Sequence, residues 1–131
     1  MKIIFRLLAI LALIIVGLLL LQQIAAESGE VVTLTTEDDV GALETTRLWI
    51  VELEGRQYLR AGMPQAGWYQ RLLGNPNVRM QRGDVQQAYM AVPDLARTPE
   101  IDGLMREKYG WADAYIGFLF GREESVPVRL D

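Results

Sequence analysis

Hydrophobic positions fall into two regimes along the chain. From Leu7 to Leu21 the run is unbroken, whereas beyond residue 30 apolar positions alternate with polar ones or recur at helical spacing. Counted from Ile3 to Ala26, the first regime is long enough to cross a bilayer, which takes about 20 residues. A helix this long and apolar on every side has no face to turn to water, which argues against a buried core helix.

The second regime predicts strands. Val31 to Thr36 is a β-branched run, and a strand resumes near Thr45 and runs to Leu53. Glu54-Gly55 turns the chain, and Gln57 to Ala61 returns. Val78 to Arg82 and Val85 to Val92 flank the turn Gly83-Asp84, and Ser125 to Leu130 closes the chain, with Pro127 implying an edge or bulge. Between them lie helices. Trp68 to Leu73 sets Trp68 and Leu72 on one face with Tyr69 partly exposed, and Gly74-Asn75-Pro76 stops it. Thr98-Pro99-Glu100 opens a helix with a capping hydroxyl and proline in the first turn. It presents Ile101, Leu104, Met105 and Tyr109 to a core, and Gly110 ends it. Trp111 to Phe120 reads as a second short helix.

The prediction is an α+β fold, mainly β. Six antiparallel strands joined by tight turns close into a small barrel that removes exposed edges, with short helices packed on it and one transmembrane helix ahead of it. Residues 1–26 form the membrane or signal segment, 27–30 a polar linker, and 31–131 the barrel domain.

Two readings of the first segment compete, an uncleaved anchor and a signal peptide cut after Ala26. Bulky Ile24 makes a poor small-x-small cleavage site and favours the anchor. Lys2 and Arg6 precede the span and no basic residue follows until Arg47, so the N-terminus is expected in the cytoplasm and the domain outside it. A cleaved signal would leave the domain secreted.

Charge narrows the partners. Without the first 26 residues, 11 of the 13 basic side chains remain against all 17 acids, a net charge of −6. Such a domain repels phosphate backbones and is not expected to bind nucleic acid. There is no histidine and no cysteine, which excludes imidazole acid–base chemistry, thiolate nucleophiles, disulfides and most zinc, copper or haem ligation. Serine and threonine then have no base partner for hydrolysis. The acidic run Glu37-Asp38-Asp39 reads as a solvated turn rather than a calcium loop, because no further spaced ligands follow. No metal site is expected.

One set of short motifs carries a resemblance: Thr35-Thr36, Thr45-Thr46, Leu48-Trp49, Tyr58-Leu59-Arg60-Ala61-Gly62, Trp68-Tyr69-x-x-Leu72 with Asn75-Pro76-x-Val78, and Lys108-Tyr109-Gly110-Trp111. Together they resemble the split β-barrel oxidoreductases. The branch they look most like is the deazaflavin-dependent nitroreductases and quinone reductases, related to the pyridoxamine-phosphate oxidase fold. The resemblance spans residues 31–131 and implies hydride transfer from reduced flavin mononucleotide or a deazaflavin to a lipophilic quinone or nitro compound, in proteins that often dimerise. It directs Arg60, Gly62, Trp68, Tyr69 and Arg71 toward the cofactor, and Tyr109, Trp111 and Tyr115 toward the cofactor ring or substrate.

The family's glycine-rich basic phosphate loop corresponds here to Glu37 through Glu44, where Val40 replaces its serine and Glu44 its arginine. The basic loop is lost, and carboxylates beside a phosphate are unfavourable. Each candidate also has a plainer reading. Trp68 packs on the sheet with Leu72, Arg60 and Arg71 pair with nearby surface acids, and the aromatics from Trp111 onward line a core or touch lipid. Two functions are therefore expected: a membrane-anchored flavin- or deazaflavin-dependent reductase, or a cofactor-free split-barrel binding module at the extracytoplasmic membrane face.

Overall fold

The computed structural model describes all 131 residues. Its strands are β1 (Val31–Glu37), β2 (Leu43–Trp49), β3 (Val51–Leu53), β4 (Arg56–Ala61), β5 (Asn77–Arg82), β6 (Val85–Pro93) and β7 (Val126–Leu130). Its helices are α1 (Lys2–Ala26), α2 (Gly67–Gly74), α3 (Thr98–Tyr109) and α4 (Trp111–Phe120). The strands form one antiparallel sheet in the order β2-β1-β5-β6-β7-β4-β3.

The strand count is seven rather than six because the strand expected to run to Leu53 breaks at Ile50. Its first half pairs with β1, from Leu43 opposite Glu37 to Trp49 opposite Val31, and its second half pairs with β4, from Val51 opposite Tyr58 to Leu53 opposite Arg56. Thus β2 and β3 are the two outer strands of the sheet, yet one residue separates them in the chain. The sheet must curl until its edges meet at Ile50, giving an antiparallel half-barrel.

At that corner the backbone cannot use a ladder partner, and a buried unpaired amide is costly. The Ile50 N–H donates to the Tyr109 hydroxyl at 2.9 Å, and the Ile50 carbonyl accepts from Lys108 Nζ at 2.8 Å. The Tyr109 hydroxyl lies 2.7 Å from the Glu30 carbonyl, which it serves as donor, and 3.1 Å from the Ile50 carbonyl. The last turn of α3 therefore closes the break between the two strand halves.

Alternation along the strands sorts the core. Val32, Leu34, Ile50, Leu59, Val78, Met80, Val128 and Leu130 share one buried cluster with Trp68, Tyr69 and Leu72 of α2. Tyr69, expected partly exposed, is only 8% exposed. It lies edge-on to Trp68 with ring centroids 6.3 Å apart, so the short helix seats adjacent positions in the core, not one stripe. On the opposite face, Val51 and Tyr58 pack against Ile101, Met105 and Tyr109 of α3.

The start of α3 differs from the expectation in one detail. The Thr98 hydroxyl donates to the Leu95 carbonyl at 2.8 Å, within a preceding 3-10 turn, and does not cap its own helix.

Glu30, in the linker, clasps three elements together. It accepts from Arg82 Nε and Nη2, at 2.9 and 3.0 Å, and from Lys108 Nζ at 2.6 Å. These bonds, Arg82 first and Lys108 second, lower its pKa from 4.5 to about 2. A carboxylate held below its unfolded value adds stability that is fully present above pH 4.5 and is lost as pH falls toward 2. Acid titration of the unfolding midpoint is expected to show this loss in the native protein and a flatter curve over the same window in Glu30→Gln.

Candidate functional site

Two of the predicted residues, Arg60 and Gly62, meet in a cavity of about 190 Å³. Its wall is assembled from the end of α1 (Ala26), β2 (Arg47, Leu48, Trp49), the end of β4, α3 (Met105), α4 (Ile116) and Arg122 just beyond it. Wider depressions of about 420 and 510 Å³ contain none of the predicted residues.

The polar side of the cavity is built on a buried ion network. Arg60, with a side chain 5% exposed, donates to Asp113 at 2.5 Å and to Asp102 at 3.1 Å. Asp113, 4% exposed, also accepts from Arg122 at 2.7 Å. Ser125 donates to Asp102 at 3.3 Å, which brings in the segment ahead of β7. Burial, then the neighbouring Arg60 guanidinium, pushes Arg122 below the usual arginine range. Arg47, on the outer rim, pairs with Glu27 at 2.8 Å, and the bond to Glu27 raises its pKa. Each of the cavity's three arginines thus has a carboxylate partner, and Asp102, Asp113 and Glu27 balance them one for one.

The other predicted residues lie apart. Trp68 and Tyr69 are in the core. Arg71 donates to the buried Thr36 hydroxyl at 2.7 Å and not to a surface acid. Tyr109 stacks on Trp49 at 4.3 Å, with rings 8° from parallel, while its hydroxyl serves backbone. Trp111 is exposed at the start of α4, and the Tyr115 hydroxyl donates to the Leu18 carbonyl of α1 at 3.3 Å.

Sequence reasoning missed Arg47, Arg122 and Asp113. One signal was available for Asp113: it is the single charge in the otherwise apolar Trp111–Phe120 helix, and a lone charge in such a run requires a buried partner.

The Glu37–Glu44 segment offers no phosphate cradle. Asp38 turns its carboxylate onto its own backbone, accepting from Val40 N–H at 3.0 Å and Ala42 N–H at 2.8 Å, with Gly41 at φ +81°. A phosphate-tailed flavin or deazaflavin does not fit these residues. The turn is acidic, and the cavity arginines are neutralised by Asp102, Asp113 and Glu27.

The fold, an α+β antiparallel half-barrel, is shared with several solved structures. An F420-H2 dependent reductase superposes with a TM-score of 0.62 at 23% identity, over 78% of this chain and 94% of its own. A Listeria innocua protein described as a "putative pyridoxamine 5'-phosphate oxidase" gives 0.56 at 14%, over 82% and 86%. A third structure, described as a domain-swapped dimer, gives 0.63 at 22%, over 78% and 80%. By sequence, no family model and no curated protein matches the chain.

Proposed function

We propose that this protein is a single-pass, membrane-anchored split-barrel module that takes a lipophilic small molecule into the Arg60–Gly62 cavity at the extracytoplasmic face, without a tightly held phosphate-tailed cofactor. The observation that carries this reading is the composition of the cavity. Apolar Ala26, Leu48, Trp49, Met105 and Ile116 line it, and each of its arginines already faces a carboxylate, although the buried Arg122 Nε has no partner. Anchoring is supported by α1, a 25-residue helix whose most apolar 18-residue window has a mean hydropathy of 3.0 and is wholly unburied. Orientation follows from Lys2 and Arg6 on the cytoplasmic side.

A second reading, hydride transfer from a reduced flavin or deazaflavin to a quinone or nitro compound, is favoured by the fold shared with an F420-H2 dependent reductase. In such enzymes the cofactor supplies the redox chemistry and the protein binds and orients it. A second copy of the chain is a candidate partner, as in the domain-swapped neighbour.

The absorption spectrum of the detergent-purified full-length protein, taken before and after incubation with flavin mononucleotide and gel filtration, separates the two readings. The first expects a colourless protein that retains no flavin. A stoichiometric chromophore, native or added, would transfer the conclusion to the reductase.

A further inference from the structure

We infer that α4 is a second membrane element, a short helix laid into the outer leaflet beside α1, and that the cavity opens sideways into that leaflet. The inference rests on α1 spanning the bilayer and deepens the proposed function by specifying the route and kind of ligand: an apolar molecule arriving through lipid.

Three observations converge. First, α4 packs on α1, and Tyr115 reaches the carbonyl of Leu18, well inside the apolar run. The stripe Leu18, Leu21, Gln22 and Ala25 is one helical face, and it contains Ala25, the single buried residue of α1. Gln22 and Gln23 are the first polar residues after the span. Taking them as the hydrocarbon boundary leaves the 20 residues from Ile3 to Gln22, roughly 30 Å of helix, to cross the core, with Arg6 close enough to the inner end for its side chain to reach the cytoplasmic headgroups. Leu18, four residues deeper than Gln22, then lies roughly 6 Å below that boundary. Interfacial helices settle at about 5–10 Å.

Second, the exposed positions of α4, at its start and over its last turn, are uncharged and apolar. Trp111, Phe118, Leu119 and Phe120 are all exposed, Phe118 at 86%. The helix's single charge, Asp113, is buried against Arg60 and Arg122. A soluble domain would be placing large aromatic groups in water, whereas beside a membrane span the same surface is solvated by acyl chains. Third, Ala26 of α1 and Ile116 of α4 both line the cavity. The junction of α1 and α4, which at Ala26 stands roughly 6 Å outside the hydrocarbon boundary, at headgroup level, is therefore part of its wall.

The absence of native cysteine makes single-cysteine labelling direct. Full-length Phe118→Cys, Ile14→Cys and Val40→Cys, each carrying an environment-sensitive fluorophore, would be reconstituted in vesicles of phosphatidylcholine and phosphatidylglycerol. Each would then be quenched either by spin labels on the acyl chains or by aqueous iodide. The expected result is a blue-shifted Phe118→Cys probe that loses most of its emission to acyl-chain labels and little to iodide, as Ile14→Cys does, with Val40→Cys behaving oppositely. If Ile14→Cys is quenched by lipid labels and Phe118→Cys by iodide, α4 is not inserted and the inference falls while the anchor stands. If both are quenched by iodide, the anchor fails and the inference falls with it.

Discussion

Replacing Asp113 by alanine is expected to cost about 3 kcal/mol of folding stability, the lower end of the 3–5 kcal/mol range for breaking a buried ion pair. The substitution leaves Arg60 buried with only Asp102 to face, and deprives Arg122 of its carboxylate. Asp102 keeps its 3.1 Å bond to Arg60, which is why the larger figure is not expected. Chemical unfolding in detergent, followed by Trp fluorescence, reads the loss directly. Asp113→Asn should cost less, since an amide still accepts one of the guanidinium bonds. Arg60→Met combined with Asp113→Leu should recover part of the loss, because two apolar groups carry no desolvation cost. An unchanged midpoint in Asp113→Ala would mean that the network does not hold α4 to the barrel.

Tyr109→Phe is the second large effect, at about 1–3 kcal/mol for leaving buried polar groups unpaired. The ring and its stacking on Trp49 survive in phenylalanine. What goes is the hydroxyl that accepts from the Ile50 N–H and donates to the Glu30 carbonyl. Lys108 still covers the Ile50 carbonyl, so the orphaned donor is one N–H at the point where the sheet turns its corner. The loss should be local. Hydrogen exchange is expected to accelerate at Ile50 more than in the centre of β5, and uniform acceleration would contradict a corner role.

Much of the architecture could be read from residue order because strands such as β1 and β5 carried their own alternation and the hairpins their own turns. Val32 and Leu34 of β1, and Val78 and Met80 of β5, are buried as their period-2 pattern requires. The break at Ile50 was not legible. The residues from Leu48 to Leu53 look like one strand, and the bend is set by partners distant in sequence: β1 on one half, β4 on the other, and Tyr109 between them.

The site was legible only in part for the same reason. Arg60 and Gly62 are neighbours in the chain and stay neighbours in the cavity. Tyr109, Trp111 and Tyr115 looked like one aromatic group, yet a change of direction at Gly110 sends Tyr109 to the sheet corner and Tyr115 to α1. Arg122 was invisible because nothing local signals that a loop arginine folds back onto Asp113.

The most direct measurement is quenching of Trp fluorescence by a short-chain alkyl quinone, set against flavin mononucleotide at the same concentrations, in the full-length protein in detergent. Trp49 lines the cavity, while Trp68 is buried in the core and Trp111 lies outside it. Gly62 has open space where a side chain would begin, so Gly62→Trp can fill the cavity. The expected result is saturable quenching by the quinone that is lost in Trp49→Phe and weakened in Gly62→Trp by loss of binding, with no saturable response to the flavin. Saturable binding of flavin mononucleotide, or quinone quenching indifferent to both substitutions, would contradict a cofactor-free cavity for a lipophilic ligand.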